Sequence, residues 1–202
     1  MKHLKMLGLF AMAAAALMAF AGSASEATFT APAGTGYHGT LSSSLEGSAL
    51  LKAGFAEITC TAGTVAGEIK APEAKKETEE KKLVNNNETE ASGAITAVSF
   101  SSCKEGQTVD TLNNSGTLTI LKSNTAVSGT GTEVTTAVAG VSCVYGLGTT
   151  STPLGTASNT EKGVTLAIKA SLPKISGGFL CASPASWTAN YIVTAPTGSV
   201  VD

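Results

Sequence analysis

Between residues 164 and 172 every second side chain is apolar. Val164, Leu166, Ile168, Ala170 and Leu172 alternate with Thr165, Ala167, Lys169 and Ser171. A period of two puts the first set on one face of an extended strand, so the segment hides its apolar groups only as half-buried β-structure. Trp187, Ala189, Tyr191 and Val193 repeat the pattern, and residues 134–138 and 141–145 read as strands around Gly140. Residues 117–122 follow an Asn113-Asn114-Ser115-Gly116 turn, and residues 94–103 follow Gly93. Residues 55–61 and 65–70 flank Ala62-Gly63, which reads as a hairpin connection. Residues 37–43 and 48–52 give two weaker strands. About eight to ten short strands predict an all-β fold, an immunoglobulin-like or Greek-key β-sandwich.

One segment breaks the alternation. Residues 68–82 hold five lysines and five glutamates. Pro72 suits a helix N1 position, Glu77 and Lys81 are i,i+4 partners, and Asn85-Asn86-Asn87 would end the turn series. Residues 68–90 are therefore expected as a charged helical or flexible insertion. The plain role is a solvated loop that keeps a Ser/Thr-rich chain soluble; the alternative is an arm that meets a partner.

The first 27 residues have the layout of a secretory signal peptide. Lys2 and Lys5 precede an apolar run over residues 7–21, and small residues follow over 22–27. That run is shorter than the ~20 residues of a membrane helix, so no membrane span is expected. Residues 28–202, about 175, then suit one domain in an extracellular or periplasmic setting. The four cysteines there, Cys60, Cys103, Cys143 and Cys181, are spaced 43, 40 and 38 residues apart, too far for zinc-ribbon or thioredoxin-type pairs. Three disulfide pairings are open. Cys60–Cys103 with Cys143–Cys181 joins neighbouring strand groups and is the one expected. Each bond would stabilise the fold by about 4 kcal/mol in the chain-entropy model.

Charge argues against nucleic acid as a partner. All thirteen basic residues are lysines, and without Lys2 and Lys5 but with Glu26 kept, eleven lysines face fifteen acids, a net charge of −4. A faintly acidic chain without guanidinium groups is poorly equipped for phosphate backbones.

Side chains that could carry out a reaction are few. His3 belongs to the signal segment, which leaves His38, in a glycine-rich stretch with Tyr37, as the one imidazole for a triad. Gly34, Gly36 and Gly39 spell G-x-G-x-x-G, without the strand before and helix after that a dinucleotide site needs. Ser101 with Lys104 and Ser171 with Lys174 match S-x-x-K by composition alone. Asp110 and Asp202 are too distant for a calcium loop. Glu46, Glu57, Glu133 and Glu161 could form a hydrolase pair if the fold brought two together. No cofactor or metal site is expected. Trp187 and Tyr191 share one face of their strand: outward they would make a platform for sugar rings, inward they are core, and the alternation favours core.

The export layout ahead of residues 28–34 and the Ser/Thr/Gly-rich β pattern with sparse cysteines resemble small secreted bacterial proteins labelled activators of alkane oxidation. Leu180-Cys181-Ala182-Ser183-Pro184 with Trp187-Thr188-Ala189-Asn190-Tyr191-Ile192-Val193 also resembles the tails of many uncharacterised secreted bacterial proteins. The resemblance implies an extracellular surface or matrix role and no catalytic residue. The expectation is a secreted, non-enzymatic structural or interaction protein of the bacterial cell surface or matrix, self-associating or meeting a surface partner. The alternatives are a carbohydrate- or apolar-ligand-binding module using Trp187, Tyr191 and Tyr145 or Tyr37, and last a glutamate-based hydrolase.

Overall fold

A computed structural model describes residues 29–30, 37–54, 56–70, 90–113 and 116–201. Fourteen strands and no helix occur among them: β1 (Phe29–Thr30), β2 (Gly39–Ala53), β3 (Ala56–Ile69), β4 (Glu90–Cys103), β5 (Gln107–Asn113), β6 (Thr117–Leu121), β7 (Ala126–Thr130), β8 (Glu133–Val138), β9 (Val141–Gly146), β10 (Thr152–Thr160), β11 (Gly163–Leu172), β12 (Lys174–Gly177), β13 (Ala185–Ala195) and β14 (Val200–Val201). The signal segment and most of the charged insertion, residues 71–89, lie outside the described residues.

Eight strands form a closed antiparallel barrel in the order β10-β11-β13-β2-β3-β4-β6-β7, with β7 pairing back onto β10. The all-β reading holds, but the main sheet is not one open layer of a sandwich. The hairpin β6–β7 and strand β10 carry the pairing from β4 round to β11, so the sheet keeps no free edge.

Unequal strand lengths then divide the molecule. Strands β2, β3, β4, β11 and β13 run for ten to fifteen residues, whereas β6 and β7 have five each. β6 pairs with β4 only from Glu90 to Ala94, five of the fourteen residues of that strand. Opposite the rest lies a second antiparallel sheet, β12-β9-β8-β5. Its Thr136, Cys143 and Tyr145 face Leu51, Ala53 and Ile58 across a narrow apolar gap. At the far end of the barrel the ribbon β1–β14 covers the core with fully buried Phe29. The side chain of Asn159 holds it there by donating to the Val201 carbonyl at 2.8 Å and accepting from the Val201 N–H at 2.9 Å.

Two expected breaks are absent. β3 runs straight through Ala62-Gly63, so no hairpin forms there. A Cβ on Gly63 would lie 2.8 Å from the Ser99 carbonyl oxygen, so the glycine serves close strand approach rather than a turn. The weak strands near residues 37–43 and 48–52 are one strand, β2, with a register shift between Ser44 and Ala49.

Both disulfides follow the sequential pairing. Cys60–Cys103 joins register partners on β3 and β4, and Cys143–Cys181 ties β9 to the loop ahead of β13. Near the second bond the Tyr145 hydroxyl donates to the Ala182 carbonyl at 3.1 Å and the Lys174 ammonium to the Cys181 carbonyl at 3.1 Å. The bond therefore fastens the smaller sheet to the barrel. The double variant Cys143→Ala/Cys181→Ala should lose about 4 kcal/mol and about 10 °C in Tm. An unchanged melting curve by circular dichroism would contradict that role.

Candidate functional site

The alternation of β13 points Ala185, Trp187, Ala189, Tyr191 and Val193 to the interior. Trp187 and Tyr191 consequently line the inside of the barrel and do not present an outward platform. Trp187 sits between Ala170 on β11 and Leu51 on β2, and Tyr191 between Leu166 and Leu45. Phe100 of β4, opposite Gly63 of β3, completes an aromatic row. The Phe100 and Trp187 ring centroids are 6.3 Å apart at 75°, and those of Trp187 and Tyr191 6.2 Å at 69°. Such edge-to-face pairs contribute about 1 kcal/mol each beyond area burial.

The row borders an apolar cavity of about 80 Å³, partly open to solvent. It lies where the barrel's short strands give way to the smaller sheet. Leu118 reaches it from β6, Val109 from β5, Val134 from β8, Tyr145 from β9, and Thr132 from the link between β7 and β8. Gly116 draws this junction tight: a Cβ there would overlap the Thr130 carbonyl oxygen and crowd the Thr132 hydroxyl. Small residues such as Ala49 on the long strands leave space that larger ones would fill.

Two polar atoms in this wall lack partners. The Tyr191 side chain is 99 % buried, 1 % exposed, and its hydroxyl has no hydrogen-bond partner among the described residues; the Thr132 hydroxyl is in the same position. Burial pushes the Tyr191 hydroxyl far above the usual tyrosine range, so it stays protonated and neutral. Burial also raises Tyr145, but its hydroxyl is satisfied by Ala182. Among the described residues the wall carries no carboxylate, ammonium or imidazole.

The other candidates lie elsewhere. Glu46 pairs with Lys162, Glu57 with Lys52 at 3.1 Å, and Glu161 is exposed in the β10–β11 turn; neither these nor Glu133 lines the cavity. His38 Nδ1 donates to the Lys70 carbonyl at 3.0 Å. Tyr37 packs near Phe29, with ring centroids 6.1 Å apart, and donates to the Thr40 carbonyl at 2.8 Å. Of the three glycines in the G-x-G-x-x-G stretch only Gly39 is among the described residues, at the start of β2. The four sequence-derived cysteines are all in disulfides. Sequence reasoning missed Phe100, Thr132, Leu118 and Val109; Phe100 had a signal in its alternating strand, whereas Thr132 sits in a link without periodicity.

Comparison of the chain with protein-family models, with curated proteins and with solved structures found no match. What the cavity does is therefore argued from its walls.

An orphan buried hydroxyl destabilises a fold, so its removal should help. Tyr191→Phe is expected to raise stability by about 1 kcal/mol in urea unfolding. A loss of that size would mean that the hydroxyl has a partner in the folded protein.

Proposed function

We propose that the chain is an exported, disulfide-stapled binding protein that shelters a small apolar ligand inside its barrel. The observation behind this reading is the cavity itself: partly open, almost wholly apolar, and bordered by Phe100, Trp187 and Tyr191. Ligand sites in small barrels have this character, apolar walls with a few polar atoms. Among the described residues its wall offers no acid, base or activated nucleophile for bond making, which favours holding a molecule over converting it. Export draws support from the signal-like N-terminal pattern and from two disulfides, which persist in oxidising compartments.

A second reading, an interaction protein of the cell surface or matrix, has its own observation. Phe179 is 94 % exposed, and Ile175 and Leu180 beside it are exposed as well. Such an apolar tip suits contact with a partner. The two readings are compatible, since the tip belongs to β12 and the loop after it and the cavity to the barrel.

Trp187 is the single tryptophan, so it reports on the cavity without interference. Titration with toluene should change its emission saturably and raise Tm. In Leu118→Phe, where a larger side chain occupies the chamber, affinity should fall about tenfold or more. A linear, non-saturating response identical in both proteins would refute the cavity as a binding site.

A further inference from the structure

Away from the cavity, the loop between β12 and β13 carries the most exposed apolar side chain described. Phe179 is 94 % exposed at its apex, with Ile175 and Leu180 exposed beside it. The loop is held firmly all the same. Cys181 is bonded to Cys143, its N–H donates to the Gly178 carbonyl at 3.1 Å, and its carbonyl accepts from the Lys174 ammonium at 3.1 Å. A Cβ on Gly177 would crowd Cys181 Sγ, so a glycine is what lets the chain fold back to the disulfide. Leu180 reaches the gap between the sheets beside Val138 and Val141. Phe179 is thus an apolar group on a fixed support, so little entropy is lost when something meets it.

Resting on the reading of this tip as a contact surface, we infer that it docks on an anionic lipid bilayer, with Phe179 inserted at the boundary between headgroups and acyl chains. Charge, area and backbone all choose the lipid. Residues 163–201 contain Lys169 and Lys174 and no acidic residue, in a chain that is acidic overall. On β3, beyond β2, Glu57 is already paired with Lys52 at 3.1 Å, and Glu105 has Lys104 next to it in the chain. An anionic headgroup layer attracts lysines and meets no unopposed carboxylate on this segment. Three apolar side chains fall well short of the ~800 Å² per partner of a stable protein interface, whereas a bilayer needs no matching surface. Finally, β12 is an edge strand of four residues whose register shifts between Lys174 and Ser176. Such an edge is a poor template for a strand from a second copy.

Phe179→Trp puts a fluorescent probe at the apex, and Trp187, inside the barrel, is the control carried by the parent protein. With vesicles of equimolar phosphatidylcholine and phosphatidylglycerol, the emission added by Phe179→Trp should shift to the blue and be quenched by brominated acyl chains, while the parent emission is not quenched. Affinity for vesicles of phosphatidylcholine alone should be roughly fivefold lower. Because the probe sits at residue 179, attachment through the apolar residues 7–21 would leave it unquenched. Absence of quenching would overturn the lipid as the occupant. If light scattering then finds a dimer that Phe179→Ser dissolves, the tip remains a contact surface, for a second copy; a monomer would remove that reading as well. Equal affinity for the two kinds of vesicle would overturn the anionic preference.

Discussion

Closing a sheet with strands of unequal length is the constraint on which the rest of this structure depends. Five long strands make one continuous wall, and every backbone group along them needs a partner or solvent. β6 pairs with only five of the fourteen residues of β4, so the opposite wall must change sheets along the way. The chain does so by running from β7 through Thr132 into β8, and from β5 through Gly116 into β6. Side chains from two independently registered sheets meet at this change, where neither pleat continues the other. Imperfect filling there is the physical origin of the cavity.

The aromatic row and the disulfides take different parts in holding that junction. Phe100, Trp187 and Tyr191 belong to the continuous wall, and their edge-to-face contacts fix the side of the cavity that does not change sheets. Cys143–Cys181, with the Tyr145–Ala182 and Lys174–Cys181 hydrogen bonds, secures the smaller sheet that forms the other side. Cys60–Cys103 lies within the long wall.

Much of this was legible in the residues. Alternation located β11, β13, β8 and β9 because each has one buried and one exposed face, and it turned Trp187 and Tyr191 inward. Of three open pairings, the one expected for joining neighbouring strand groups is the one observed. Closure was not legible, because a barrel and a sandwich ask the same period of each strand and differ only in which edges meet. Gly63 and Gly93 read as turns, yet both sit inside long strands at points where a neighbouring backbone comes close. β7, β10 and β12 are rich in Thr, Ser and Gly, so their burial pattern left no clear mark in the sequence. The cavity is further removed still, since it arises from residues on eight or more elements that only the register brings together.

A crystal structure determined under xenon pressure tests the central claim most directly, because xenon enters apolar voids and disturbs their walls little. The account predicts a xenon atom against Trp187 and Tyr191, bordered by Leu118 and Val134 on the opposite side. Side chains packed continuously across that space, with no xenon between them, would contradict it.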